Sequence, residues 1–298
     1  MGAIASVIEQ VSSDCEIIVV DNASTDDSVP RIRAQFPQVT LVALGQNIGF
    51  ARANNMAADI ARGRYLLLLN PDTLVQSGAI AALLDFAYRR PEARIWGGRT
   101  LTEEGRIDPL SCGRRPSLWS VFAVASGLAR LFPASPFCNP EAMPDWFRED
   151  ERNVDIVIGC FLMIGSEDWR KLGGFDPAYF MYGEEVDLCL RAQRRGALPA
   201  ICPDATIIHF SGASQPAAPR MAQILAGRIR YCRSHLPPRQ KRIAIWCIRA
   251  GVMFRLCFYM LAPPSSPGRI RLRHVYRARR FWWNGYPDYD GQSGPSSS

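Results

Sequence analysis

The chain has 298 residues, 48% of them hydrophobic, with a formal net charge of +7 and a pI near 9.1. That length suits one large α/β domain or two small ones, and the apolar share is that of an ordinary globular protein. Nine cysteines, an odd number without CxxC or zinc-type spacing, suit reduced thiols in a cytosolic protein better than a disulfide framework.

In chain order, residues 3–13 read as a short helix, and Met1 to Val11 lacks the basic start and long apolar core of a signal peptide. Ile17 to Val20 is an apolar, β-branched run and predicts a buried parallel strand over 16–21. It stops at Asp21-Asn22, and the Ser24-Thr25-Asp26 cluster caps a helix near 27–35. Val39 to Ala43 is a second strand and Ile48 to Ala61 a helix with small packing residues. Tyr65 to Leu69 is a third, wholly apolar strand, Ser77 to Tyr88 a helix, and 94–100 a fourth strand. This β-α alternation predicts a doubly wound, mostly parallel sheet.

Residues 103–153 are rich in proline and read as a loop-rich insertion over the active face, with an apolar segment at Leu118 to Phe132. Strands are expected at 154–158 and 161–164, helices at 168–172 and 186–195, and short strands at 197–201 and 206–209. From Pro219 the chain is helical and basic, and 291–298 reads as a disordered tail. The domains are therefore 1–217, a helical extension 218–290, and the tail.

Five segments carry candidate chemistry. In an open α/β sheet ligands bind beyond the carboxyl ends of the strands, which is where Asp21 and Asn22 fall. Their carboxylate and amide suit a nucleotide base. Gly45-Gln-Asn-Ile-Gly49 joins a strand to a helix, where Gly49 permits close backbone approach and the helix N-terminus favours a diphosphate. Asn70-Pro71-Asp72 ends an apolar strand with an oxygen pair that suits Mg²⁺ or Mn²⁺. Glu184, Glu185 and Asp187 crowd three carboxylates at a helix start, and one of them suits a general base. His209 ends a strand beside Gly212 and Ser214 and is a potential metal ligand.

In this order the motifs resemble those of the GT-A glycosyltransferases of family 2, especially the bacterial rhamnosyltransferase-like branch, over roughly residues 3–235. The resemblance implies that Asp21, Asn22, Asn47, Gly49, Asn54 and Asn70 hold the nucleotide-sugar donor. It implies Asp72, in the DxD-like position, and His209 as metal ligands. It places Gly159, Cys160, Phe161 and Glu184 on the acceptor side. Glu185 stands where the family carries its catalytic Asp, and Asp187 completes that motif. The implied activity is inverting transfer from a nucleotide-diphosphate sugar to a saccharide or lipid-linked acceptor, assisted by a divalent cation, in cell-surface polysaccharide synthesis. The resemblance also implies one more strand ahead of the first helix, so a strand position beside Ile17 to Val20 is expected to stand vacant.

Ile243 to Ala262 is a 20-residue apolar run interrupted by Arg249 and Arg255, each costly at a bilayer centre. An interfacial helix flanked by Arg and Trp fits it, as does an amphipathic helix packed on the catalytic domain. The expected partners are donor, acceptor and a membrane surface, without nucleic acid, in the cytoplasm at the inner face of the cell membrane. Two other classes stay open: a nucleotidyltransferase, and a catalytically impaired sugar- or membrane-binding homologue.

Overall fold

The computed structural model describes residues 1–11, 14–210 and 217–287. Helix α1 (Gly2–Ile8) leads to β1 (Ile18–Asp21), α2 (Ser28–Gln35), β2 (Thr40–Ala43), α3 (Phe50–Ile60), β3 (Tyr65–Leu69) and β4 (Thr73–Val75). Then come α4 (Ala79–Arg89), β5 (Ile95–Leu101), β6 (Cys112–Gly113), α5 (Leu118–Ser126) and α6 (Leu128–Leu131). Strands β7 (Arg152–Asn153), β8 (Ile156–Val157) and β9 (Phe161–Gly165) precede α7 (Ser166–Leu172), α8 (Glu184–Gln193) and β10 (Ala200–His209). Helices α9 (Ala217–His235), α10 (Pro238–Met260), α11 (Pro267–Arg277) and α12 (Arg279–Trp282) complete the described chain.

The α/β class holds, and most elements lie within a few residues of their predicted positions. The pairing, however, is mixed. The main sheet has the order β3-β9-β5-β10-β4, with β7 also on β10. Strand β9 is antiparallel to both β3 and β5, whereas β10 is parallel to β5. An apolar run marks a buried strand but not its direction, so this insertion was invisible in the pattern. Strands β3, β5 and β10 thus all run one way. Their carboxyl ends share an edge with the first residues of β9, which brings the candidate residues of β3, β9 and β10 to that edge.

Strand β9 is buried on both faces. Phe161 and Met163 enter one apolar cluster with α4, and Leu162 and Ile164 enter another with α8 and the C-terminal helices. Strand β1 pairs in parallel with β2, Ile18 opposite Thr40 and Asp21 opposite Ala43, and no second partner for β1 occurs among the described residues. Its Ile18, Val19 and Val20 are only half-buried, less covered than the run predicts.

The apolar part of the insertion, expected to be loop-rich, is helical: Ser117 and Ser120 form a reciprocal cap at the start of α5, and Gly127 ends it. The turns that follow are held by the buried Arg148, which donates to the carbonyls of Pro109, Ala142, Met143 and Trp146. The basic C-terminal helices pack on the sheet region. Ile229, Val252, Val275 and Trp282 share one apolar cluster with Leu162 and Leu188 of the sheet region. The predicted disordered tail, 291–298, lies outside the described residues, as do Gly212 and Ser214.

Candidate active site

The floor of the site is the turn from β3 to β4 and the start of β9. The Asn70 N–H donates to the Cys160 carbonyl at 3.2 Å, and the Thr73 hydroxyl donates to the Asn70 carbonyl at 2.7 Å. These bonds hold Asp72 outward. The Phe210 N–H, just past β10, donates to the Asp72 carbonyl at 2.9 Å and fixes the end of that strand beside it. As a result His209 Nε2 lies 3.3 Å from Asp72 Oδ1. Residues 137 positions apart meet as the resemblance implies.

The buried Asn70 Oδ1 has no hydrogen-bond partner. An orphaned acceptor next to a carboxylate and an imidazole fits a cation that draws its remaining ligands from water and substrate phosphate. The described residues offer no cluster of three or more His, Cys, Asp or Glu that could hold a metal unaided. A Mg²⁺ or Mn²⁺ site open toward substrate matches that donor set better than a closed structural site.

Facing this pair is the loop before α8 and the first turn of that helix. Tyr182 and Gly183 both have positive φ, 70° and 106°, which turns the chain sharply into α8. Glu184 is 3% exposed, and its Oε2 has no partner. Burial, and then the charge of Glu185, push its carboxyl well above the ordinary glutamate range. Burial also raises Glu185, against the Gly183 N–H that donates to its Oε2 at 3.2 Å. A backbone N–H supports charge on Glu185, whereas Glu184 Oε2 has no donor, so Glu185 is the carboxylate better suited to serve as a base.

Asp187 has another job. Its Oδ2 accepts from Arg191 Nε at 2.7 Å and its Oδ1 from His235 Nε2 at 2.8 Å. Burial opposes its charge, but the His235 hydrogen bond and Arg191 outweigh it and hold the carboxyl below the ordinary aspartate range. Arg194 donates to His235 Nδ1 at 2.9 Å; since arginine only donates, the imidazole proton sits on Nε2. Arg191 also reaches the carbonyls of Leu172 and Gly174. Asp187 therefore ties α8 to α9 and to the preceding turn, and the candidate catalytic role stays with Glu185.

The donor-side residues are placed at the site but mostly serve the backbone. Asp21 ends β1 buried and accepts from the Ser24 N–H at 3.0 Å, tightening the turn that follows. Asn22 Oδ1 accepts from Ile48 N–H at 2.8 Å, Asn47 Oδ1 from Gly49 N–H at 2.9 Å, and Asn54 donates to the Phe50 carbonyl at 2.9 Å. Gly49 (φ 86°) is required by a close approach, although a protein group makes it: a Cβ there would lie 2.5 Å from the Phe180 carbonyl oxygen. The Phe50 N–H, first in α3, donates to that same oxygen at 2.7 Å. The helix start expected to face a diphosphate is thus joined to the loop carrying Tyr182.

On the expected acceptor side, Gly159 lies between the Phe50 ring and Glu185 Cβ, where an added Cβ would meet them at 3.5 and 3.9 Å. Cys160 and Phe161 do not face an acceptor; both are buried, with Phe161 in the α4 cluster. Burial pushes the Cys160 thiol up to about 12, helped by the charges of Asp108, Asp72 and Glu185. That neutral thiol backs the site without being a nucleophile.

Three contributors escaped the sequence reading. Asp108 is buried and acts on Cys160 together with Asp72 and Glu185. Tyr182 feels Arg220, Glu184, Asp72 and Glu185 at once, although burial dominates the raising of its phenol pKa. Arg220 brings a positive charge to this group from α9. Asp108 precedes a proline in a region read as loop, and Arg220 was one arginine of a basic run; only tertiary placement distinguishes them.

Residues 2–111 match the model of the family described as "Glycosyl transferase family 2". The chain is 30% identical over 224 residues to an N-acetylglucosaminyl-diphospho-decaprenol L-rhamnosyltransferase of Mycobacterium tuberculosis, covering 71% of each chain. It is 26% identical over 224 residues to Rhamnosyltransferase WbbL of Escherichia coli, covering 70% of this chain and 78% of that one. A structure of GalNAc-T7 with UDP, GalNAc and Mn²⁺ superposes with a TM-score of 0.54 at 14% identity, covering 88% of this chain and 55% of that one, which establishes a shared fold.

Proposed function

The chain belongs to glycosyl transferase family 2, and from that membership we propose that it is an inverting transferase acting on a nucleotide-diphosphate sugar. Rhamnose is the proposed sugar, because the relatives named above are rhamnosyltransferases. The proposed acceptor is a saccharide or a lipid-linked saccharide of cell-surface polysaccharide synthesis, handled in the cytoplasm at the inner face of the membrane. Family membership disfavours the nucleotidyltransferase alternative.

The observation that carries the reading is that two unlike groups gather around Cys160 and Tyr182, since the charges of Asp72 and Glu185 both act on each of them. One group is the Asp72–His209 pair with the orphaned Asn70 amide oxygen. The other is Glu185, with its carboxyl raised by burial. In the proposed reaction Asp72, His209 and Asn70 would hold Mg²⁺ or Mn²⁺, which offsets the charge of the departing diphosphate. Arg220 adds positive charge on the same side. Glu185 accepts the proton of the acceptor hydroxyl as that oxygen attacks the anomeric carbon opposite the leaving group. Glu184, protonated, avoids a second negative charge beside the base and has a carboxyl to offer a sugar hydroxyl. Asp21 and Asn22, at the end of β1, would hold the base of the nucleotide.

A thermal-shift screen of nucleotide-diphosphate sugars with Mn²⁺ tests the donor assignment. A rhamnose donor is expected to raise the unfolding temperature more than the same nucleotide carrying a hexose, because specific binding to the folded state shifts that equilibrium. Equal shifts for all sugars would remove rhamnose; no shift with any of them would remove the donor class.

A further inference from the structure

Among the described residues, α10 is the one helix long and apolar enough to cross a membrane by length and composition. Its inner face is already committed to protein. Ala244, Cys247, Ile248, Gly251 and Val252 are buried, and a Cβ at Gly251 would lie 2.3 Å from the Ala125 carbonyl oxygen of α5. A helix packed so closely along its middle lies on the surface of the catalytic unit.

The outer face is different. Trp246, Phe254 and Phe258 are 68%, 69% and 64% exposed, and Ile243, Cys257 and Leu261 are exposed with them. Their spacings of three, four and eight residues set them on one stripe. The two arginines that interrupt the run point elsewhere. Arg249 donates to the Trp283 carbonyl at 2.7 Å and lies over the Trp283 ring, while Arg255 donates to the Gly251 carbonyl at 2.9 Å. The costly charges noted in the sequence are therefore taken off the apolar stripe.

A second exposed apolar group adjoins it. Helix α5 packs on α10, and Arg130 of α6 is near enough to Arg255 to depress its pKa after burial has done so. From this pair of short helices and the turn after them, Trp119, Phe122 and Phe137 form a cluster of tilted rings, with the Trp119 centroid 5.6 Å from Phe122 and 4.6 Å from Phe137. Leu131 and Phe132 are exposed beside it in sequence.

The charge of the surroundings favours one occupant. Residues 217–287 contain fifteen Lys or Arg and no Asp or Glu. A cleft of about 540 Å³ between α10 and α12 is lined by Met253, Tyr276, Arg279, Arg280, Trp283 and Asn284, without a carboxylate. Arg228 and Arg230 are neutralised by Glu141 and Asp176 from the catalytic unit, and the excess of positive charge lies with the rest. Exposed aromatics beside such an excess are the composition of a surface that sits at the headgroup level of an anionic bilayer.

We propose that the outer stripe of α10 and the Trp119–Phe122–Phe137 cluster form one footprint that docks flat on an anionic phospholipid membrane, with Arg279 and Arg280 as its basic rim. This deepens, and rests on, the reading of the chain as a transferase working at the inner membrane face. The stripe enters the interface without crossing it.

The test uses the full chain and vesicles of phosphatidylglycerol mixed with phosphatidylcholine, with pure phosphatidylcholine as the comparison. Binding is expected to be stronger to the anionic vesicles and to weaken with salt. Replacing Trp246, Phe254 and Phe258 together by Ser, or Trp119, Phe122 and Phe137 together by Ser, is expected to weaken binding about tenfold or more in each case. An environment-sensitive label on Cys257 in a Cys15→Ser, Cys138→Ser chain leaves the aromatic residues of the footprint in place. It should shift to the blue on anionic vesicles, whereas a label on Cys15 in a Cys138→Ser, Cys257→Ser chain should not. Unchanged binding by either folded triple variant, or no shift at Cys257, overturns the footprint. So does self-association through the stripe without vesicle binding. Donor turnover by the unaltered chain is scored separately. Turnover without vesicle binding overturns the footprint alone, and vesicle binding without turnover overturns the reading of the site alone.

Discussion

Glu185→Gln is expected to lower sugar transfer by about 10²–10⁴-fold, the usual contribution of a general base. The amide keeps the shape of the side chain and can still accept from the Gly183 N–H, so donor affinity should stay close to the parent value. Transfer and donor binding measured on the same preparation separate the two effects. The parent pH profile carries the same information. Burial raises the Glu185 carboxyl, so activity should fall on the acid side with an apparent pKa above that of an ordinary glutamate. Stability linked to the buried pair runs the opposite way. Glu184 and Glu185 bind protons more tightly folded than unfolded, so their contribution is fully present below the unfolded value and is lost as pH rises through the folded one. A variant series in which Asp187→Asn is crippling and Glu185→Gln is mild would move the base to the other carboxylate.

Asp72→Ala is expected to abolish metal-dependent turnover, and His209→Ala to weaken it with a higher requirement for Mn²⁺. The Asp72 side chain is 17% exposed, on a turn held by the backbone of Asn70, Thr73 and Phe210, and as a polar group at a strand end it contributes little to the apolar core. The unfolding temperature of Asp72→Ala should therefore remain near that of the parent. The readout besides activity is Mn²⁺ binding in the presence of a nucleoside diphosphate, followed by titration calorimetry. Full Mn²⁺ affinity in the Asp72 variant would remove that residue from the site.

The parts of this account that were legible in the sequence are those written in short periods. The run from Tyr65 to Leu69 predicts its strand to the residue, and Asp72 and His209 fall at strand ends where the open-sheet rule looks for ligands. Strand direction was not legible, because Phe161 to Ile164 is apolar on both faces and fits an antiparallel neighbour as well as a parallel one. Residue roles were harder still. Asp187 sits in the same acidic cluster as Glu185, and what separates them is His235, 48 positions downstream. Gly49 was expected to admit a ligand, yet what approaches it is the Phe180 carbonyl, 131 positions away. Cys160 and Phe161 belong to a motif by sequence and to the core by packing. Asp108 and Arg220 belong to no motif, and only the fold brings them to the site.

The anomeric configuration of the first product tests the central claim most directly. The unaltered chain, given Mn²⁺, a nucleotide-diphosphate rhamnose and a saccharide acceptor, would be followed by proton NMR. A single displacement with Glu185 as base and no covalent intermediate predicts release of nucleoside diphosphate and a product whose configuration is opposite to that of the donor. A product that retains the donor configuration, or no release of nucleoside diphosphate from any sugar donor, would contradict it.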